Sequence, residues 1–253
     1  MAIDLTQLAK PDGKKPVIMT IVGEGGLGKT TLAAMFPNPV FIRTEDGSQS
    51  LAGSDVALMP IATSYANILE QIEALAMQEH DFKTLVLDSV TQLNTMIEAE
   101  IIAGDIKNPK SINQALGGYG AGHNYASEQH RIIRESCGYL STEKKMHIIF
   151  IAHADNETLD LPDSDPYTRY TIRMNKKSVS HYSDNVDCVA FLKLKRFLKG
   201  EADDKVKRAV SNGERIITCY PTASHISKNR FGIASDLPFT LDQNPFTNYI
   251  QGV

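Results

Sequence analysis

Residues 17–30 read Val17-Ile18-Met19-Thr20-Ile21-Val22-Gly23-Glu24-Gly25-Gly26-Leu27-Gly28-Lys29-Thr30, and this stretch decides the fold. Its first half is an apolar, β-branched run ending in glycine, the pattern of a strand buried on both faces of a parallel sheet. Its second half fits Gly-x-x-x-x-Gly-Lys-Ser/Thr. In that pattern glycines let backbone N–H groups turn inward onto phosphate oxygens, the lysine reaches the β- and γ-phosphates, and the hydroxyl takes magnesium. A strand before the loop and a helix after it is the placement this chemistry requires. The phosphate cradle is therefore assigned to Gly23, Glu24, Gly25, Gly26, Leu27, Gly28, Lys29, Thr30 and Thr31, with ATP and Mg2+ as the implied ligands.

Working outward, Thr30 to Met35 reads as a helix closed by Phe36-Pro37, and Val40 to Arg43 as a second strand leading into Thr44-Glu45-Asp46-Gly47. From Tyr65 to His80 the apolar residues Ile68, Leu69, Ile72, Leu75 and Ala76 fall at helical spacing, which predicts an amphipathic crossover helix. Thr84 to Asp88 is a third buried strand, followed by a helix from Gln92 to Ile102. A glycine-rich stretch from Gly117 to Gly122, a long helix from about Asn124 to Lys144 and a strand from His147 to Ala152 complete the alternation. Parallel strands need such crossovers, so the expected class is α/β, a mostly parallel twisted sheet with helices on both faces.

The later part changes character. Val189 to Lys195 alternates, Val206 to Val210 is strand-like, and Arg215 to Tyr220 follows the turn signal Asn212-Gly213, which predicts C-terminal antiparallel hairpins. The expected organisation is a lead-in over 1–15, one ATPase domain over 16–240, and a C-terminal tail over 241–253.

Composition excludes more than it assigns. A net charge of −4 over 253 residues rules out a protein coated in positive charge, so any nucleic-acid contact must come from a local patch. Cys137, Cys188 and Cys219 are scattered without metal-ligand spacing and are expected as reduced, buried thiols. Nothing has the layout of a signal peptide, and no apolar run approaches the ~20 residues of a membrane span. No membrane partner and a cytoplasmic location are the expectations.

Asp88 ends a buried apolar run, where a Walker-B aspartate holds magnesium together with Thr30. Glu45, just past the strand after the cradle helix, is the candidate base that orients the attacking water, with Asp46 as the alternative. His153, at the tip of the strand beginning at His147, is the candidate γ-phosphate sensor.

Taken together these pieces resemble the RecA/RadA/DnaB-type core ATPases. Lys228-Asn229-Arg230-Phe231-Gly232 looks like the KNRFG motif of bacterial RadA, Leu87-Asp88-Ser89-Val90 is similar to the RecA Walker-B strand, and Phe41-Ile42-Arg43-Thr44-Glu45 to the segment bearing RecA's catalytic glutamate. Glu24 replaces the extra lysine of ParA- and MinD-like partition loops, which counts against that group. The resemblance covers residues 16–235. In length and layout the chain is similar to phage-encoded RecA-core ATPases grouped with single-strand-annealing recombinases of the Sak type. That resemblance implies a RecA-like P-loop NTPase core whose Lys228 and Arg230 reach across to a neighbouring subunit's nucleotide. It also implies DNA-stimulated hydrolysis of ATP to ADP and phosphate, assembly as a homo-oligomeric ring or filament, and annealing or strand exchange in the cytoplasm of a host cell. Single-stranded DNA and a single-stranded-DNA-binding protein are the partners it suggests.

RecA-like proteins hold DNA on two loops. The corresponding residues here are Arg169, Tyr170, Arg173, Lys176 and Lys177 in the later region, and Lys107, Lys110 and Tyr119 in the earlier one. A hairpin and a helix N-terminus explain the same residues without DNA. An ATP-gated loader or assembly factor acting on protein is the rival reading. A metabolic P-loop kinase is weakened by the lack of a recognisable lid or acceptor motif.

Overall fold

The computed structural model describes residues 15–199 and 208–253. Most of the expected lead-in, and residues 206 and 207 of the Val206–Val210 strand, lie outside the described residues.

The cradle stretch forms β1 (Ile18–Gly23) and α1 (Lys29–Ala34), with Pro37 beyond the helix end. There follow β2 (Pro39–Arg43), β3 (Ala57–Leu58), α2 (Tyr65–Met77), β4 (Thr84–Asp88), α3 (Val90–Gly104), α4 (Ala121–Glu143) and β5 (His147–Leu159). The chain continues through β6 (Tyr167–Ile172), α5 (Lys176–Ser183), β7 (Cys188–Lys199), β8 (Arg208–Thr218), β9 (Lys228–Asn229) and β10 (Leu237–Phe239). The main sheet runs β10-β8-β7-β1-β5-β4-β2-β3; β6 pairs with β5 and β9 with β7. From β7 to β3 the neighbours are parallel, and β8, β9 and β10 join antiparallel.

Alternation along the central strands builds two cores. Ile148, Phe150 and Ala152 of β5 face one side with Leu85 and Leu87, where α2 to α5 supply Ile72, Leu93, Ile133 and Tyr182. Ile149 and Ile151 face the other with Met19 and Ile21, covered by Leu32, Ala33 and Phe36. The sheet is thus buried on both faces, as parallel sheets are. Cys137, Cys188 and Cys219 are buried free thiols.

The Asn212-Gly213 signal marks a different feature from the expected turn. β8 is continuous through it and pairs with β7 on both sides, with the register shifting between Leu194↔Arg215 and Arg196↔Ser211. Residues 212–214 therefore oppose Lys195 alone, as a bulge, with Gly213 at φ 86°. A positive-φ Asn-Gly pair serves a bulge as well as a two-residue turn. Likewise β5 runs past Ala152 and folds back onto β6 as a hairpin, so part of the later candidate DNA loop is paired strand.

Residues 241–253, expected as a C-terminal tail, pack against the domain. Phe246 is fully buried and Ile250 nearly so, in the same core as α1, and the Asn244 amide donates to the Met35 carbonyl at 3.4 Å. Phe246 packs against Phe36 with ring centroids 6.4 Å apart. Burying each such side chain contributes about 1.5–3 kcal/mol towards holding the segment on the domain.

Candidate functional site

Parallel register brings the chemistry to one edge of the sheet. Gly23 lies level with His153 across β1 and β5, Asp88 with Ile151 across β4 and β5, and Arg43 with Asp88 across β2 and β4. β5 is inserted between the cradle strand and the Asp88 strand, which separates them enough to leave a groove over the edge. The resulting cleft has a volume of about 410 Å³, within the range of small-molecule sites. Its lining includes Gly26, Lys29, Thr30, Glu45, Asp88 and His153.

The cradle needs its glycines for two reasons. A Cβ at Gly23 would sit 2.5 Å from the Leu192 carbonyl oxygen, so the first glycine lets β1 and β7 approach where the chain leaves the sheet. Gly26 and Gly28 have φ of 76° and 96°, which turns the loop into a region side chains rarely adopt. Lys29 is almost wholly buried, and its ammonium donates to the carbonyls of Gly23 at 2.9 Å and Glu24 at 2.8 Å. Burial lowers its pKa to about 8, against the opposing pull of Asp88 and Glu45.

Thr30 donates its hydroxyl to Asp88 Oδ2 at 2.8 Å. Burial raises the Asp88 pKa and the Glu45 charge adds to the rise, while the Thr30 bond and Lys29 oppose it. A hydroxyl and a carboxylate side by side are hard oxygen donors of the kind Mg2+ takes. Among the described residues no cluster of three or more His, Cys, Asp or Glu forms an all-protein metal cage. Mg2+ is commonly held this way, by one or two protein oxygens plus phosphates and water, so these residues fit MgATP.

Behind Asp88, Thr44 locks the strand end. Its backbone N–H donates to the Asp88 carbonyl at 2.8 Å, and its hydroxyl accepts from the Ser89 N–H at 2.9 Å. Ser89 caps α3 by accepting from Gln92 N–H at 3.2 Å. The two candidate bases part company here. Both line the cleft, but Glu45 Oε1 lies 3.7 Å from His153 Nε2, whereas Asp46 Oδ1 is 3.6 Å from Arg43 Nη1. The His153 N–H donates to Thr91 Oγ1, and burial together with the Lys29 cation lowers the pKa of its imidazole. Asp88, Glu45, His153 and Lys29 thus form one electrostatically linked group.

The family model AAA_24, described as an AAA domain, matches residues 15–231. The chain belongs to this P-loop ATPase family. No curated protein matches it. The match supports a nucleotide-binding P-loop ATPase core.

The AAA domain keeps Lys228 and Arg230 away from its own cradle. β9 pairs with the start of β7, beside Cys188 and Val189, whereas the cradle leaves β1 level with Leu192. Lys228 Nζ donates to the Asp184 carbonyl at 2.6 Å, and Arg230, mostly exposed, pairs with Asp187 at 3.0 Å. The later nucleic-acid candidates are engaged by neighbours on β5, α4 and β7. Arg169 Nε donates to Glu157 at 2.8 Å, Lys176 is exposed with Glu157 at 3.9 Å, and Lys177 Nζ donates to Asn124. The Tyr170 ring packs on Phe191 at 5.3 Å between centroids, and its hydroxyl accepts from Arg196.

Arg173 lies against β5, close to the cleft. Its guanidinium donates to the Ala154 carbonyl at 3.1 Å, next to His153, and its charge lowers the pKa of both Lys29 and His153. Thr44, Arg215 and Leu241 were not singled out as site residues from the sequence. Thr44 stood next to Glu45 in a quoted segment, but Arg215 and Leu241 reach the cleft only through the pairing of β8 with β10.

Proposed function

We propose that this AAA domain is a RecA-core ATPase of the phage Sak type, which binds MgATP between subunits and acts on single-stranded DNA in annealing or strand exchange. The observation that carries the reading is the continuity between nucleotide residues and candidate DNA segments. α3 starts directly after Asp88 and leads into the loop of residues 105–120. The strand bearing His153 runs on into the β5–β6 hairpin.

In the earlier loop Tyr119 is fully exposed on a left-handed backbone (φ 51°), between Gly118 and Gly120, which are also at positive φ. An aromatic ring held out this way suits stacking on an unpaired base. The bound magnesium would neutralise charge on the triphosphate. Lys29 would hold the outer phosphates, Glu45 would orient and deprotonate water, and His153 with Arg173 would respond to the γ-phosphate from the hairpin side. Lys228 and Arg230 are proposed to complete a neighbour's site, since the sheet edge that carries them faces away from their own cradle.

Filter binding tests the reading. ATP-bound protein should retain a labelled single strand with an affinity that falls steeply as salt rises, by about 0.7 log units per log unit of salt for each phosphate contacted. Retention that is absent, or insensitive to salt, sinks the DNA assignment and leaves the ATP-gated assembly factor. That second reading draws on one observation: Tyr65, Ile97, Ile101, Leu116 and Tyr125 line an open apolar hollow on the α2–α4 face.

A further inference from the structure

The nucleotide cleft has two unlike ends. One is acidic and carries Asp88 bonded to Thr30, with Glu45 facing His153. The other is formed by Arg215 and Leu241. Arg215 on β8 pairs across the sheet with Phe239 of β10. Phe239 and Leu241 close on the start of α1, where a Cβ added to Gly28 would lie 3.4 Å from Phe239 Cε1 and 3.0 Å from Leu241 Cδ2.

The two arginines in this cleft are not equivalent. Arg43 is satisfied: its Nε and Nη2 donate to the Met59 carbonyl at 3.3 and 3.0 Å, and Asp46 pairs with it. Arg215 Nε is buried with no partner, and among the described residues no carboxylate pairs with the guanidinium. Buried N–H donors in folded proteins are nearly always bonded, so an orphan donor lining a ligand cleft marks the place of a ligand acceptor.

We propose that Arg215 holds the nucleoside half of ATP, its guanidinium donating to an acceptor on the base beside the apolar side chain of Leu241, with Phe239 packed behind the cradle at Gly28. The proposal rests on the nucleotide-binding reading of the cleft. Direction along the cleft fixes the half of the ligand concerned. With the γ-phosphate at the Asp88–Glu45 end and the chain of phosphates lying over residues 23–30, the nucleoside emerges past Gly28 towards β8 and β10. A planar, permanently charged guanidinium suits a flat purine ring, which lysine does not match.

Isothermal titration of the full chain with MgATP and with magnesium tripolyphosphate tests this. Arg215→Ala and the bulk-retaining Arg215→Gln should each weaken MgATP binding by about 10- to 100-fold while tripolyphosphate binding stays within about twofold. Equal losses for both ligands, or no loss for either, overturn the assignment. Arg215→Lys should recover only part of the ATP affinity, and full recovery would reduce the residue to a point charge and overturn base recognition. Failure of the wild-type chain to bind either ligand would instead refute the underlying nucleotide site.

Discussion

Thr30 donates its hydroxyl proton to Asp88 across 2.8 Å, joining the first turn of α1 to the end of β4 over the intervening strand β5. The contact sets two magnesium-type oxygens side by side at a half-buried position, where a charge is worth more than in water. Asp88→Asn preserves shape and a hydrogen-bond acceptor for Thr30 but removes the charge. Phosphate release in saturating magnesium should fall by roughly 10²–10³-fold, while the melting temperature is kept. Wild-type turnover by Asp88→Asn would remove Asp88 from the metal site.

Glu45 and Asp46 offer a sharper discrimination, because neighbours in sequence have different surroundings. Glu45 shares the cleft with His153, and its charge reaches both Lys29 and Asp88. Asp46 is engaged by Arg43. Glu45→Gln should leave ATP binding intact and reduce turnover by roughly 10²–10⁴-fold, the typical worth of a general base, whereas Asp46→Asn should change turnover by less than about tenfold. Single-turnover phosphate release on both variants decides it, and the opposite ranking gives the base to Asp46.

The central strands and the cradle were legible because their signals are local. A buried parallel strand reads as an apolar run, and the loop needs its glycines and its Lys29-Thr30 pair at fixed spacing. Asn212-Gly213 was ambiguous for a physical reason, since the same positive-φ preference serves a hairpin turn and a bulge. Arg173 was read as a nucleic-acid contact because cations and aromatics interleave around it, with Arg169, Tyr170 and Lys176 nearby in sequence. Only the pairing of β6 with β5 shows that residue 173 returns to His153, to whose carbonyl the Arg173 N–H donates at 2.9 Å. Arg215 had no sequence signal, because its role depends on which strand lies beside it. Phe246, Tyr249, Ile250 and Val253 fall at i, i+3, i+4 and i+7, but the run is only two turns long, too short a window for the pattern to be read as a core face.

His130 gives a stability prediction. It is fully buried, with Nε2 3.1 Å from Asn94 Oδ1 and Nδ1 2.9 Å from the Tyr182 hydroxyl. An amide oxygen only accepts, so Nε2 carries the proton and the neutral ring accepts from Tyr182 at Nδ1. Burial, and secondarily His181, lowers the pKa to about 3. The unfolded chain, with an ordinary histidine near 6.5, therefore binds the extra proton between those values, so stability falls as pH drops below about 6.5, by up to ~1.4 kcal/mol per unit from this group. Urea unfolding at pH 7 and pH 5 should show His130→Gln losing about 2 kcal/mol less than wild type over that interval. An unchanged pH slope would show that His130 is not held neutral.

Lys29 carries the complementary prediction on binding. Its buried ammonium has a pKa of about 8, so the cation that should face the phosphates is lost as pH rises through that value. A bound triphosphate favours the charged form and lifts the pKa again, so binding above pH 8 takes up a proton, and affinity falls as pH rises by up to about tenfold per unit. Below about pH 7 the lysine is charged with or without ligand, and this contribution is flat. Titrations in buffers of differing ionisation enthalpy count the proton directly: uptake should approach one per nucleotide near pH 9 and vanish near pH 6.5. Lys29→Arg, charged throughout the range, should bind without that uptake whatever its absolute affinity. Proton uptake that persists in Lys29→Arg would move the titrating group elsewhere in the cleft, with His153 excluded at pH 9 by its lowered pKa.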